Sequence, residues 1–329
     1  MPISDTCGNN SATNTNDCAI NSGAVYLYRR PTSGWSGTTL AETYAFYLKA
    51  PNAGREDEFG NSLSFSEDGA ILVVGAALED NGVGSLPETD TCTNDNAKLV
   101  TSNCAFNSGA VYVYDTTNIG ATPIYLKSPV PEGHVGFGDN LSVSGNGAVI
   151  AISECGDCYK SAVYMYQRPV GGWFDTTITN YKPTYLKAPN LGLTGEPPKD
   201  RLMYGYSLSI SGDGAVLVVG AFGDGRRTGA AYVYQRPIAG WPGTDFDNYI
   251  PIKLQAPNAL RNDMFGNGVS TSRDGSVIAV IAILERSDIY STAIISAIPA
   301  EMKGSTLKPI DDPNERNYQA TNAGTIYLY

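Results

Sequence analysis

Residues 59–76 read FGNSLSFSEDGAILVVGA, and closely similar lines begin at residues 137, 204 and 265. Two shorter motifs recur beside them. SGAVYVY at residues 108–114 has counterparts beginning at residues 22, 160, 228 and 323. YLKAPN at residues 47–52 has counterparts at residues 125, 185 and, more loosely, 252. Because motifs that recur in a fixed order are the signature of a repeat architecture, the sequence predicts four repeat units plus an extra N-terminal strand.

Each unit contains four short runs that are typical of β-strands. The first two runs are joined by Asp-Gly or Asn-Gly at residues 68–69, 146–147, 213–214 and 274–275. These dipeptides favour a tight hairpin between antiparallel strands. The second run is apolar throughout, as in AVLVV at residues 215–219, which indicates burial on both faces. Four antiparallel strands per unit, covered on both sides by similar units, predict an all-β fold, a β-propeller of four-stranded antiparallel blades.

The strand count leaves the closure of the propeller open. We expect a single β-propeller domain over residues 1–329. Its units cover residues 22–50 (partial), 59–128, 137–188, 204–256 and 265–329. Residues 22–28 and 323–329 both have the pattern of a third strand, so one of them is in excess. A closed four-bladed ring with one displaced strand, an open arc, and exchange of the extra strand between subunits all remain possible.

The recurring motifs resemble a known family. Phe-Gly at the start of the first strand, Gly-Ala at the end of the second and Gly-Ala-Val-Tyr-Val-Tyr in the third make residues 22–329 similar to FG-GAP repeats. That repeat forms the propeller head of integrin α subunits and occurs in many secreted bacterial proteins. The resemblance implies extracellular recognition or adhesion, although it is more specific for fold than for function.

The hairpins depart from the calcium-binding version of this repeat. Many FG-GAP repeats carry an Asp-x-Asp-x-Asp-Gly loop between the first two strands, whereas the hairpins here supply one carboxylate or two at best. Calcium takes about six to eight oxygen ligands. We therefore expect no cofactor and no metal site.

Composition indicates which partners are excluded. The formal charge is −11 and the pI is about 4.6, which argues against nucleic acid and anionic membrane surfaces as partners. The longest apolar run, residues 277–284, is too short for membrane insertion. Residues 1–5 are polar and do not form a signal peptide, so we expect a signal removed before Ile3 or an added methionine.

Cysteine spacing points to an oxidising compartment. Three local pairs are predicted to be disulfides: Cys7 with Cys18, Cys92 with Cys104, and Cys155 with Cys158. The first two pairs occupy equivalent places before Tyr-rich strands. The third pair has Cys-x-x-Cys spacing, which also suits redox or metal chemistry. A strand rather than a helix follows it, and the only histidine lies in another loop. We therefore predict a secreted or cell-surface protein.

Loops on one face of the propeller are the predicted binding region. The insertions at residues 77–107 and 285–322 lie there with the connectors between units. The candidate ligand-contacting residues on this face are Glu56, Asp57, Glu58, Glu79, Asp80 and His134. The expected partner is a protein or glycan on a cell or matrix surface.

Loops on the opposite face repeat the motif Arg-Pro-x-x-Gly-Trp, ending at Trp35, Trp173 and Trp241. The indoles could be platforms for sugar rings, or each could fold back on its own blade and fix the loop. The repetition and the large buried area of an indole favour the second interpretation.

The sequence contains no catalytic constellation. His134 has no Gly-x-Ser-x-Gly companion, and the acid pairs cannot be placed at the separation that glycoside hydrolysis needs. We predict a non-enzymatic extracellular recognition or adhesion module. The alternatives are a carbohydrate-binding lectin and a structural subunit that self-associates through an unpaired strand into an extracellular filament.

Overall fold

A computed structural model describes residues 19–32, 34–35, 45–82, 84, 86, 92, 104–131, 133–155, 161–175, 181–189, 201–243, 249–285 and 325–328. The regular structure in these ranges is almost entirely antiparallel β-sheet. An N-terminal pair consists of β1 (Val25–Tyr28) and β2 (Ala45–Leu48). Blade A consists of β3 (Ser62–Phe65), β4 (Ile71–Ala76), β5 (Ala110–Asp115) and β6 (Ile124–Leu126).

The following units repeat this arrangement. Blade B consists of β7 (Phe137–Val143), β8 (Val149–Glu154), β9 (Ala162–Gln167) and β10 (Thr184–Lys187). Blade C consists of β11 (Tyr204–Ile210), β12 (Val216–Ala221), β13 (Ala230–Gln235) and β14 (Ile252–Leu254), with a helical turn α1 (Asp224–Arg227) after β12. Blade D consists of β15 (Phe265–Thr271), β16 (Ile278–Ala282) and β17 (Thr325–Leu328). Within each blade, strands adjacent in sequence are antiparallel neighbours, which confirms the predicted all-β propeller architecture.

Side chains fix the hairpin between the first two strands of each blade. In blade A, Asp68 Oδ1 accepts hydrogen bonds from Ser66 Oγ at 2.6 Å and from the Ala70 N–H at 2.9 Å, while Gly69 has a φ of 70°. The same pattern recurs at Ser144 and Asn146, Ser211 and Asp213, and Ser272 and Asp274. The Asp-Gly and Asn-Gly steps therefore form the tight turns predicted from the sequence.

Close backbone approach between blades explains two of the repeated motifs. A Cβ at Gly75 would lie 2.3 Å from the Gly138 carbonyl oxygen, and one at Gly220 would lie 2.1 Å from the Gly266 carbonyl oxygen. The Gly of Gly-Ala in one blade thus packs on the Gly of Phe-Gly in the next, where any side chain would intrude. Ser153 and Ile281 occupy the corresponding positions of β8 and β16.

The hydrophobic core lies between consecutive blades. Val111 and Val113 of blade A pack with Phe137 and Ile152 of blade B. Similar clusters join blade B to blade C and blade C to blade D. β8 is buried at every position, as expected for a strand covered on both faces.

β1 of the N-terminal pair and β17 are both paired as third strands, as the sequence predicted. β1 and β2 pair as a third and a fourth strand would, and Val25 and Leu48 pack against blade A. β17 pairs with β16 as the third strand of blade D. Within the described ranges no fourth strand pairs with β17, and β1–β2 forms a sheet of its own. The proposed domain boundaries stay a prediction.

Candidate functional site

The 77–107 insertion is held firmly where it leaves blade A. Asn81 and Cys104 form an antiparallel bridge, and the Ala105 N–H donates to the Asp80 carbonyl at 2.7 Å. The predicted disulfide between Cys92 and Cys104 is present, with a Cα–Cα distance of 5.6 Å. The two ends of the insertion are therefore fixed side by side.

Glu79 lies beneath the insertion in a buried ion pair. Its Oε2 accepts from Lys127 Nζ at 2.5 Å, and its Oε1 accepts from Tyr125 OH and Asn52 Nδ2, both at 2.9 Å. Lys127 Nζ also donates to Ser108 Oγ at 2.8 Å. Burial lowers the pKa of Lys127, and the Glu79 carboxylate opposes that shift. Glu79 is fully occupied inside the protein, so its prediction as a ligand-contacting residue is wrong.

Asp80 is also buried rather than presented to a ligand. Its Oδ1 accepts from the Asn107 N–H at 2.7 Å, which ties the end of the insertion to its start. Burial raises the pKa of Asp80 to about 6, and the hydrogen bond from Asn107 only partly counters this effect. The second acid of the predicted Glu-Asp pair therefore also has a structural role.

Asp80→Asn is expected to stabilise the protein at neutral pH by on the order of 2 kcal/mol. Because the folded-state pKa is raised, Asp80 binds its proton more tightly in the folded protein. The wild type therefore loses stability as the pH rises from about 4 to about 6. Asparagine keeps the Oδ1 acceptor and removes this loss. Urea unfolding at pH 4 and pH 7.5 should show the gain at pH 7.5 only.

Asp68→Asn is the matched control for that experiment. The Asp68 carboxyl has a lowered pKa because Ser66 Oγ and the Ala70 N–H donate to it. Its ionised form is therefore favoured by folding, and the substitution should give no gain at pH 7.5. A stabilisation by both variants at pH 7.5 would contradict the assignment for Asp80.

Residues 56–58, in the connector before blade A, are three acids predicted to contact a ligand, and one of them is buried. Asp57 is fully buried, and its Oδ2 accepts from the Gly54 N–H at 2.6 Å. Asp263 makes the same contact with the Leu260 N–H in the connector before blade D. Asp57 thus shapes a turn, and its prediction as a ligand contact is wrong. Glu58 is exposed and Glu56 is half-buried.

His134 links the next connector to the insertion. The backbone N–H of His134 donates to the Phe106 carbonyl at 2.7 Å. The exposed His134 ring packs edge-on against the Phe106 ring, with the ring centroids 4.9 Å apart. We call residues 54–58, 79–82, 104–107 and 133–136 the insertion face. Its solvent-facing candidates are Glu56, Glu58 and His134.

Two of the three predicted tryptophan platforms are buried. Trp173 and Trp241 are 2% and 3% exposed. Their indole N–H groups donate to the hairpin carbonyls of Gly147 at 2.7 Å and Gly214 at 3.0 Å. The interpretation as sugar platforms is wrong for these two residues, because each indole folds back on its own blade. Trp35 is 59% exposed.

The four hairpins meet at the other end of the blades. Backbone hydrogen bonds join Glu67 to Gly145, Asn146 to Gly212 and Gly212 to Arg273. Arg273 Nη1 lies 2.6 Å from Glu67 Oε1, which connects the fourth hairpin to the first. An opening of ≈ 1120 Å³ lies among them.

Acidic side chains line this opening. Hydrogen bonds from Ser272 and Ser276 lower the pKa of Asp274 to about 2, and similar contacts lower the pKa of Asp68 and Asp213. No group of three or more His, Cys, Asp or Glu residues in the described ranges could hold a metal ion.

Several predicted features fall outside the described residues. These are Cys7, Cys18, Cys158 and nearly all of the 285–322 insertion. Cys155 is buried, with its Sγ 3.8 Å from Ser161 Oγ. The pairings Cys7–Cys18 and Cys155–Cys158 stay predictions.

Sequence comparison identifies one of the repeats. Residues 199–234 match the family model of the FG-GAP repeat. The matched segment contains β11, β12 and nearly all of β13. The same hairpin contact recurs in the other three blades, and the glycine contact of Gly220 recurs at Gly75 of blade A. No curated protein matches the chain. The match supports the resemblance to FG-GAP repeats that the motifs predicted.

Two solved structures are similar to the chain. One is the β-propeller domain of Cps50 (Swd1) from Myceliophteria thermophila, with 9% identity and a TM-score of 0.45 over 79% of this chain and 60% of that one. The other is a protein assigned as TolB from Agrobacterium tumefaciens, with 14% identity and a TM-score of 0.36 over 73% of this chain and 57% of that one. The chain thus spans less than two thirds of either structure.

Proposed function

We propose that this protein is a non-catalytic extracellular recognition module that binds a protein partner through its insertion face. The observation that carries the proposal is the anchoring of the 77–107 insertion. A disulfide, a strand bridge and the buried Glu79–Lys127 ion pair hold its ends. Loops presented by a rigid scaffold are the usual carriers of binding residues.

Other features support an extracellular setting. The Cys92–Cys104 disulfide is of the kind that persists in oxidising compartments. FG-GAP repeats are typical of extracellular proteins, and one is matched at residues 199–234. Among the described residues no helix has the length and apolar character needed to span a membrane.

The burial of Glu79 and Asp57 argues against a catalytic role for these two acids. Glu79 is neutralised by Lys127, and Asp57 caps a connector turn, so neither is available to a substrate. The lectin alternative is weakened because the indoles of Trp173 and Trp241 are buried and donate to hairpin carbonyls, so they cannot stack on sugar rings. We therefore favour a protein partner over a glycan.

A shortened insertion tests the proposal. Because Glu79 and Asp80 are structural, the exchange must spare them. Replacing residues 83–103 with Asn-Gly and Cys104 with serine uses the antiparallel base at Asn81 and Cys104 to accept a tight turn. Labelled wild type should bind intact cells, and this binding should be lost after protease treatment of the cells. The shortened variant should bind at least about tenfold more weakly, a difference of about 1.4 kcal/mol.

The control is the double variant Cys92→Ser with Cys104→Ser, which keeps the full insertion but not its cross-link. It should bind more weakly than wild type and better than the shortened variant. Equal binding by shortened and wild-type protein would move the site elsewhere. Strong signals on a glycan array that survive shortening would favour the lectin alternative.

A further inference from the structure

Two segments of this chain have the pattern of the same strand. Residues 23–28 read GAVYLY and residues 324–329 read GTIYLY. The second of these supplies β17, which pairs with β16 in the register Val280 with Tyr327 and Ala279 with Leu328. In blade C the corresponding register pairs Val219 with Tyr232. The tyrosine that aligns with Tyr232 in the first segment is Tyr26.

The tyrosine face of β1 is exposed, whereas its counterparts are buried. Tyr112, Tyr164 and Tyr232 are 0%, 6% and 1% exposed in blades A, B and C. Tyr26 is 60% exposed and Tyr28 is 46% exposed. In the complete blades these tyrosines pack against the Phe or Tyr of the Phe-Gly motif, as Tyr164 does against Phe137. β1 therefore has the side chains of a third strand, but in the part of the chain that the structure describes no first and second strands pair beside it.

Within the described ranges, blade D contains a buried glutamate that lacks the lysine partner found in blade A. Glu285 is 2% exposed, and its Oε2 has no hydrogen-bond partner among the described residues. Glu285 is the counterpart of Glu79, because Asn258 donates to Glu285 as Asn52 donates to Glu79, at the same separation of 27 residues. In blade A the Oε2 position is filled by the ammonium of Lys127, which follows the fourth strand. A buried carboxylate oxygen without a donor is strongly unfavourable.

The N-terminal pair contains a lysine in the corresponding place. Lys49 follows β2 as Lys127 follows β6, in the repeated Tyr-Leu-Lys motif. Lys49 Nζ donates to Ser22 Oγ at 2.5 Å, as Lys127 Nζ donates to Ser108 Oγ at 2.8 Å. In blade A one cluster contains Ser108, Lys127, Glu79 and Asn52. The counterparts of its serine and lysine are in contact in the N-terminal pair, and the counterparts of its asparagine and glutamate are in contact at blade D.

We propose that β1–β2 is the completing strand pair for β15–β16 of the same chain. In this arrangement Lys49 pairs with Glu285, and β1 takes the place of β17 beside β16. Tyr26 lies opposite Val280 and Leu27 lies opposite Ala279. β17 is then displaced, so residues 23–28 and 324–329 are alternative third strands for one edge.

The geometry favours one chain over two. The Phe59 N–H donates to the Ser22 carbonyl at 2.9 Å, which holds the N-terminal pair on blade A. The hairpin of blade D lies beside that of blade A, where the exposed Arg273 side chain is 2.6 Å from Glu67. Both halves of the blade are thus tethered at a high effective concentration. Ile281 occupies the position at which blades A and C present a glycine to the next blade. In the proposed arrangement β1–β2 supplies the contact between blade D and blade A.

Two engineered cysteine pairs in the full chain test which strand occupies the edge. Leu27→Cys with Ala279→Cys reports β1, and Leu328→Cys with Ala279→Cys reports β17. Residue 328 is opposite residue 279 in the register of β17 with β16, and residue 27 takes that place in the proposed arrangement. Directly opposed positions on antiparallel strands have a Cα separation that a disulfide can bridge. Peptide mapping after mild oxidation should find the 27–279 disulfide in higher yield than the 279–328 disulfide. On a non-reducing gel the 27–279 product should run as a monomer. Preferential formation of the 279–328 link would overturn the proposal, as would a 27–279 link found in covalent dimers.

The proposed Lys49–Glu285 ion pair can be tested by substitutions in the Leu27→Cys, Ala279→Cys variant, with the yield of the 27–279 disulfide as the measurement. Lys49→Met should lower the ratio of linked to unlinked chain by about tenfold or more. Glu285→Gln should do the same, and the two together should lose no more than either alone, because they remove one interaction. Lys187→Met, at the same motif position in blade B, should leave the ratio unchanged. Independent, additive losses from Lys49→Met and Glu285→Gln would overturn the proposed pairing.

Discussion

Lys127→Met is expected to lower the free energy of unfolding by about 3–5 kcal/mol at pH 7. The substitution removes the ammonium that neutralises Glu79, whose carboxylate is fully buried and keeps only neutral donors. The desolvation already imposed on that carboxylate is then no longer offset. Urea unfolding followed by tyrosine and tryptophan fluorescence should show a lower midpoint with an unchanged slope.

Two further variants separate the ion pair from general packing. Glu79→Gln added to Lys127→Met should recover part of the loss, because the amide oxygen still accepts from Asn52 and Tyr125 while the buried charge is gone. Lys253→Met is the matched control in blade C. Lys253 pairs with Asp224 at 2.7 Å, but its side chain is 35% exposed, so the loss should stay within about 1 kcal/mol. Equal losses from Lys127→Met and Lys253→Met would contradict the importance of burial.

Trp241→Ala is expected to cost about 3–5 kcal/mol of unfolding free energy. The indole lies in the core shared by blades B and C, and its N–H donates to the Gly214 carbonyl at 3.0 Å. Truncation leaves a cavity and an unsatisfied carbonyl at the hairpin. Trp241→Phe should cost less, since it keeps much of the packing and loses the hydrogen bond.

Trp35→Ala provides the control for this prediction, because the same motif places an exposed indole there. Its removal should change the unfolding free energy by no more than about 0.5 kcal/mol. Thermal unfolding of the variants in parallel checks the difference. A large loss from Trp35→Ala, or a small one from Trp241→Ala, would contradict the assignment of the buried indoles as supports of the hairpins.

Local features of this fold could be predicted from the sequence because each unit repeats them. The Asp-Gly and Asn-Gly steps specify the hairpins, and the uninterrupted apolar run at residues 215–219 corresponds to β12 with both faces covered. The Cys92–Cys104 pairing followed from the position of the two residues on one loop. The repeated tryptophan motif favoured a structural role, which Trp173 and Trp241 have.

The fate of the acidic residues could not be predicted in the same way. Acid runs are usually solvated, so Asp57, Glu79 and Asp80 were expected at the surface. Their burial depends on partners far along the chain, such as Lys127 for Glu79. One signal was available, because Asp57 and Asp263 both stand two residues before the Phe-Gly motif. A repeated acid at a fixed motif position indicates a structural contact.

The contact between Gly220 and Gly266 implies that this architecture can grow by duplication. Blade C presents a glycine to the blade after it, and its own Gly205 belongs to the same Phe/Tyr-Gly motif as Gly266. A tandem copy of residues 204–264 inserted before Phe265 would meet Gly220 on one side and offer a second Gly220 to Gly266 on the other. No new surface would have to evolve for such an insertion to pack. Gain and loss of whole units in related genes are therefore expected at this junction.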